Sequence, residues 1–402
     1  MMERTPLSYI EIWRNHNLSN LDNLGNVLIR SDLNVPHKNG KIIDNFRILK
    51  SVEIVEYLLD KSRTITFASH MGRPEGKDLN FSLRPVAESM ANILGKEVRF
   101  IEEVYGKKVD EQIEKSESKI FLLENLRFEE GEIANDENFS KQITKPFNSY
   151  IFDAFGAAHR EHASVVSFGE NLESFQGPLM DKEIYELDKL LNNSEYGYAV
   201  LLGGAKISEK LNLIEKLLPK VEYLMVGGGM CFTFLKALGH EIGRSLLEES
   251  FILKAEELIN SEFGKKIVLP IDFGVSDSID SSVRENVKLE DFKNNHIGVD
   301  IGPQSVFNFK KILDKSNNIF WNGPMGIFEK EEFSYGTKEI TKIISNSSAY
   351  TCIGGGDSVS AINKFSDKKY FNHISTGGGA SLEYLEGKKL PGVNKYKSLI
   401  IW

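Results

Sequence analysis

Tyr198-Ala199-Val200-Leu201-Leu202-Gly203-Gly204-Ala205-Lys206 is a five-residue, strand-favouring run stopped by two glycines and followed by a helical pattern. A short apolar run bounded by turn residues reads as a strand buried on both faces. The same punctuation recurs downstream. Gly227-Gly228-Gly229 follows the run 223–226, Asn322-Gly323-Pro324-Met325-Gly326 follows 319–321, Gly354-Gly355-Gly356-Asp357 follows 350–353, and Gly377-Gly378-Gly379 follows 373–375. Runs at 266–270 and 297–301 complete this half. Upstream, strand-like runs at 27–33, 64–68, 97–101, 120–123 and 150–155 alternate with helical patterns. Ile48, Val52, Val55 and Leu59 carry the helical spacing of 46–59, and 82–94 ends at Gly95 as a C-cap. Such alternation predicts an α/β chain of right-handed βαβ units, with parallel sheets covered on both faces. A boundary is expected near Gly177-Pro178, followed by an amphipathic helix around 182–191.

At 402 residues the chain is long enough for two or three cores, and 41% hydrophobic with 27% charged residues fits a globular protein. The net charge is -9, and the first 180 residues carry 28 acids against 22 bases. Duplex binding needs a dense basic surface, so no nucleic-acid partner is expected. No apolar run approaches membrane-spanning length, and residues 1–20 lack the apolar core of a secretory signal. The expectation is a cytoplasmic enzyme with no membrane partner. Cys231 and Cys352 have neither disulfide-framework nor zinc spacing and read as small buried hydrophobes.

Ten of the twelve arginines lie in the first 180 residues, whereas 23 of the 33 glycines lie after them. Guanidinium groups grip carboxylates and phosphates in pairs of hydrogen bonds. Glycine turns instead let a phosphate approach the backbone, often at a helix N-terminus. Ligands of open α/β sheets bind beyond the carboxyl ends of the strands. Asp32 and Asn34, His70 and Arg73, Arg127, and His159-Arg160 follow strands in the first half, while Arg47 opens a helix. Together they can hold a phosphate and a carboxylate. Solvated ion pairing would explain any one of these arginines alone, but not four strand-end sites together with Arg47. His159 and His162 are three apart, not the four of a zinc-binding HExxH helix, so no metal is expected there.

In the second half Lys206 and Lys210, four apart, are expected on one face of the following helix, beside a phosphate-approaching turn. Gly354, Gly355 and Gly356 precede Asp357 and Ser358, offering backbone N–H groups, a magnesium carboxylate and a hydroxyl. Neither GxxxxGK[ST] nor GxGxxG occurs.

Arg30-Ser31-Asp32-Leu33-Asn34-Val35-Pro36, Ser69-His70-Met71-Gly72-Arg73-Pro74, Glu124-Asn125-Leu126-Arg127-Phe128 and the run from Asp153 to Arg160 appear in that order. With the glycine clusters, Trp321 and Phe328-Glu329, they make the chain resemble phosphoglycerate kinase over essentially its whole length. The resemblance implies two Rossmann-like, doubly wound parallel-sheet domains, bilobal and hinge-closing. It implies a phosphoglycerate-binding domain at 1–178, an interdomain helix at 179–193, a nucleotide-binding domain at 194–380, and a segment at 381–402 returning to the first lobe. The implied partners are 3-phosphoglycerate or 1,3-bisphosphoglycerate and ATP or ADP with Mg2+, and the implied state is a monomer.

By motif match, Asp32, Leu33, Asn34, Arg47, His70, Met71, Gly72, Arg73, Arg127 and Arg160 contact the phosphoglycerate. Gly204, Lys206, Lys210, Gly228, Asn322, Glu329, Gly354, Gly355, Gly356, Asp357 and Ser358 serve the nucleotide, with Asp357 near the metal. Arg47 and Lys206, with backbone N–H groups at Gly355 and Gly378, would stabilise the transferring group. Ser31, Leu33, Ala157, Glu161 and Ser358 depart from the commonest family pattern, and none removes a proposed catalytic charge. A nucleotide-dependent dehydrogenase and a non-catalytic scaffold are the competing readings. The missing GxGxxG weighs against the first, and the retained Arg47, Lys206 and Asp357 weigh against the second.

Overall fold

Strands Asn26–Ser31, Thr64–Ala68, Ile120–Leu123 and Ser149–Asp153 are buried along their whole lengths, which is why they read as unbroken runs rather than alternations. The computed structural model describes residues 23–38, 40–192 and 197–398. The stretch 1–20 and the end of the segment 381–402 lie outside the described residues. The described residues divide into two units: 23–185 together with 389–398, and Glu186–Lys388.

The N-terminal unit holds a seven-stranded sheet in which every pairing is parallel. Its order is Lys397–Ser398, Glu173–Gln176, Ser149–Asp153, Asn26–Ser31, Thr64–Ala68, Ile120–Leu123, Arg99–Ile101. From Asn26–Ser31 the chain builds first towards Thr64–Ala68 and later, on the opposite side, towards Ser149–Asp153. That reversal makes the carboxyl end of Asn26–Ser31 a switch point, the place where open α/β sheets leave a crevice. Helices Phe46–Leu58 and Arg84–Leu94 cover one face, burying Ile48, Val52, Val55, Leu58, Val86 and Met90 against Val27, Ile29, Ile65 and Phe67. Gly95 ends the second helix at φ +60°, a left-handed cap that disfavours a β-carbon. The C-terminal strand is anchored by Tyr396, which packs on Tyr150 and Phe152 and donates to the Val165 carbonyl at 2.7 Å.

The C-terminal unit holds a six-stranded, wholly parallel sheet. Its order is Ile267–Val268, Tyr223–Val226, Tyr198–Leu202, Asn318–Asn322, Tyr350–Gly354, His373–Ile374. Its switch point lies between Tyr198–Leu202 and Asn318–Asn322, so Gly203-Gly204 and Gly323-Pro324 leave the sheet side by side. The Gly203 N–H donates to Asn322 O, and the Gly204 N–H donates to Pro324 O, both at 2.9 Å.

One expectation fails here. Strand Ile297–Ile301 does not join the parallel sheet; it pairs antiparallel with Asp272–Ser276, which also pairs antiparallel with Glu285–Lys288. The last two strands carry Asp272, Glu285, Asn286 and Lys288 and so gave no apolar run to read. Glu173–Gln176 was missed for the same reason. The run at 266–270 shrinks to Ile267–Val268, just short of Pro270, which lacks the N–H a ladder requires.

Candidate active site

Segments far apart in the chain are tied together beyond the carboxyl ends of the N-terminal strands. Arg47 donates through Nη1 to Asp32 Oδ2 at 3.0 Å and to the Asn34 carbonyl at 3.2 Å. Asp32 Oδ1 accepts the Asn34 N–H at 3.3 Å, and Asn34 Oδ1 accepts the Gly72 N–H at 3.0 Å. Asn125 accepts the N–H groups of Met71 at 3.2 Å and Arg127 at 3.1 Å, and donates to the Met71 carbonyl at 2.8 Å. Arg127 Nη1 closes the circuit on the Gly72 carbonyl.

Arg127 is buried, yet its Nε and Nη2 have no hydrogen-bond partner. Burial, then the charges of Arg160 and Arg30, pull its pKa down to about 10. Arg73 adds to the same repulsion. His70 is held well below its ordinary value by burial and then by Arg30, Arg127, Arg160 and Arg47, so it is neutral near pH 7. Buried, unsatisfied cationic donors that repel one another are costly until an anion pairs with them. Leu33 and Met71 turn their side chains into the apolar core, and their N–H groups are already bonded, to Ser69 Oγ at 2.9 Å and Asn125 Oδ1 at 3.2 Å. Arg73 is exposed and Arg160 partly so.

In the C-terminal unit a cavity of about 390 Å³ opens at the switch point. Gly204, Gly228, Glu329 and Asp357 line it, and Phe232, Leu246, Phe273 and Met325 supply apolar wall. That volume and lining suit a small-molecule ligand with an apolar ring. Phe232, Phe273 and the residues 297–301 were not anticipated, because part of the wall comes from the antiparallel sheet the sequence did not reveal. Gly228 has two reasons to be glycine: φ is +65°, and a β-carbon would lie 2.5 Å from the Gly204 carbonyl oxygen. Gly355, at φ +87°, is the N-cap of helix Gly356–Phe365, and a β-carbon on Gly356 would meet nothing within 4 Å. The helix therefore begins with unobstructed backbone at its positive end. Gly378, at φ +55°, stands in the same relation to the shorter helix Gly379–Leu385.

Lys206 and Lys210 do not share a helix face, contrary to expectation. Residues 203–210 form a turn, the helix starts at Leu211, and Lys210 is its N-cap. Lys206 is exposed; Lys210 is buried, with Nζ bonded to Asn322 Oδ1 and 3.4 Å from the Asn322 carbonyl. Burial lowers the Lys210 pKa to about 8, against the opposing pull of Glu209 and Asp357. Asn322 Nδ2 and Gly354 face each other, since a β-carbon on Gly354 would lie 3.2 Å from that nitrogen. Ser358 is buried and its hydroxyl accepts the Gly323 N–H at 2.7 Å, so it ties two glycine turns together. Asp357 is exposed on the first turn of its helix.

A family model described as phosphoglycerate kinase matches residues 19–388. A phosphoglycerate kinase of Finegoldia magna is 44% identical over 375 residues, covering 92% of this chain and 95% of that protein. One from Rubrobacter xylanophilus is 42% identical over 369 residues, covering 91% and 94%. The solved phosphoglycerate kinase of Coxiella burnetii superposes with a TM-score of 0.80 at 35% identity, covering 93% of this chain and 96% of that one. The chain belongs to the phosphoglycerate kinase family, the enzymes that move a phosphoryl group between 1,3-bisphosphoglycerate and ADP to give 3-phosphoglycerate and ATP.

Proposed function

We propose that the arginine crevice of the N-terminal unit holds 3-phosphoglycerate or 1,3-bisphosphoglycerate and that the glycine-lined cavity of the C-terminal unit holds ADP or ATP. The observation that carries this reading is Arg127, with two buried guanidinium N–H groups lacking any partner amid three further arginines. Asp32 and Asn34 orient Arg47, while Gly72, His70, Arg73 and Arg160 complete the anion site. Glu329 and Asp357 at the cavity then face the ribose and phosphate portions of a nucleotide, with Phe232 and Phe273 beside the base.

The donor set fits magnesium. Asp357 offers one accessible carboxylate, and among the described residues no group of three His, Cys, Asp or Glu could cage an ion. Magnesium binds in this way, through one or two carboxylates, water and substrate phosphates. When bound, it would neutralise phosphate charge. Phosphoryl transfer asks the protein mainly for positioning and charge stabilisation. Lys206 supplies a free cation and Arg47 one oriented by Asp32 and Asn34 to the transferring group, and the helix N-termini after Gly355 and Gly378 supply fixed N–H dipoles. No covalent enzyme intermediate is required.

Transfer needs both ligands within reach of each other, so ligand-induced closing of the units belongs to this reading. It would also exclude water from the acyl phosphate. Among the described residues no helix is long and apolar enough to cross a membrane. We propose a cytoplasmic monomer, and light scattering of the purified protein would check the monomer. The decisive assay is ATP consumption coupled to 3-phosphoglycerate. No turnover by the folded protein with magnesium present would end this reading, and NAD binding in its place would support a dehydrogenase.

A further inference from the structure

A buried chain of hydrogen bonds runs behind the arginine crevice and ends on His70. Glu132 is fully buried in the short helix Glu130–Ile133. Its Oε2 accepts the Ser164 N–H at 3.0 Å, and its Oε1 accepts the Ser164 hydroxyl at 2.6 Å. Having donated its proton to Glu132, the Ser164 oxygen accepts from Arg30 Nε at 2.8 Å. Arg30, 1% exposed, donates through Nη1 to the Ser31 carbonyl. Its Nη2 lies 2.9 Å from His70 Nδ1. Arginine has no acceptor to offer, so the last contact has one polarity only. Nδ1 must be the unprotonated nitrogen, and the ring proton of neutral His70 must sit on Nε2. Among the described residues Nε2 has no hydrogen-bond partner.

We infer that Glu132 is a positioning residue for the phosphoglycerate site: through Ser164 and Arg30 it locks His70 in the Nε2–H tautomer. The ring then presents a donor rather than a lone pair to an incoming carboxylate or phosphate. The carboxylate is suited to this task. Burial would raise its pKa, but the contacts from His162, whose Nδ1 lies 3.6 Å away, and Ser164, together with the Arg30 charge, outweigh burial and hold it below the ordinary value. An ionised Glu132 compensates the Arg30 guanidinium among Arg47, Arg127 and Arg160, all of which bear on His70. Without that anchor Arg30 could turn from Ser164, His70 Nδ1 could take the proton, and Nε2 would meet an anion with its lone pair. This inference rests on the proposal that the crevice binds phosphoglycerate, but the tautomer itself does not.

Long-range proton–nitrogen correlation spectra of the full-length protein labelled on histidine read the tautomer directly. His70 is identified by the signals lost in His70→Gln. The wild type should show a protonated Nε2 and bare Nδ1 near neutral pH. Glu132→Gln keeps the shape but not the charge. It should give mixed tautomers and raise KM for 3-phosphoglycerate about tenfold, the scale of one charged hydrogen bond, while KM for ATP stays put. If that variant does not fold, Ser164→Ala, which cuts the chain but keeps the carboxylate, should give the same two readings. A protonated Nδ1 in the wild type, or a folded variant with unchanged tautomer and KM, would overturn the inference. A folded His70→Gln with normal KM for 3-phosphoglycerate would instead overturn the assignment of the crevice, a separate failure.

Discussion

Arg127 donates one guanidinium N–H to the Gly72 carbonyl and holds Nε and Nη2 buried without a partner. Arg127→Ala should therefore raise KM for 3-phosphoglycerate about 10- to 100-fold, as expected for one or two charged hydrogen bonds, and leave KM for ATP nearly unchanged. Removing a buried cation from mutual repulsion should also cost the free protein little stability. Steady-state kinetics with each substrate varied in turn, beside a thermal melt, check both halves. Equal effects on the two KM values would contradict the assignment of ligands to units.

Lys206 is exposed and makes no hydrogen bond among the described residues, so its amine is free to follow the transferring group. Lys206→Ala is expected to lower kcat at least ~100-fold, in line with losing one transition-state donor, while 3-phosphoglycerate binding barely changes. Near-normal turnover in the folded variant would remove Lys206 from the mechanism.

Lys210 has the opposite environment. With its pKa lowered to about 8 by burial, it is partly neutral just above neutrality in the free protein. A nucleotide phosphate nearby would favour the charged form and raise that pKa, so the bound state holds more protons. Nucleotide binding near pH 8 should therefore take up protons, and affinity should weaken as pH rises past 8. Calorimetry of ADP binding in buffers of different ionisation enthalpy measures the uptake. It should vanish in Lys210→Met; an uptake that persists there belongs to another group.

Asp153 accepts the Leu179 N–H at 2.8 Å and the Met180 N–H at 3.2 Å through Oδ1, while Oδ2 is buried without a partner. Burial lifts its pKa to about 7, with the two backbone donors opposing and Asp181 and Glu53 adding to the rise. Between about pH 4 and 7 the folded chain keeps a proton that the unfolded chain has lost. This group therefore makes stability fall as pH rises through that window, with no further change above it. Asp153→Asn retains the acceptor and cannot ionise, so its stability relative to wild type should improve from pH 4 to pH 8 by at least about 1 kcal/mol. Denaturant titrations at both pH values decide this; a constant difference would mean Asp153 is ionised throughout.

The parallel strands and the type of chemistry at their ends are legible along the chain. A strand buried on both faces is mostly apolar, so Tyr198–Leu202 and Ile120–Leu123 announce themselves locally. Glycine at Gly228 or Gly355 is likewise a local signal, because a left-handed backbone is costly for other residues. What each polar group meets depends on the folded chain. Arg30 lies in an apolar strand and reads as an oddity until Ser164, 134 residues away, accepts its Nε–H. Lys206 and Lys210 look alike in sequence, yet Asn322, 112 residues beyond Lys210, buries one and leaves the other exposed. Strands Asp272–Ser276 and Glu285–Lys288 were hidden because their polar residues either face water, as Glu285, Asn286 and Lys288 do, or find a partner far along the chain, as Asp272 does in Ser305. Burial and hydrogen-bond pairing are long-range properties, and no spacing along the chain encodes them.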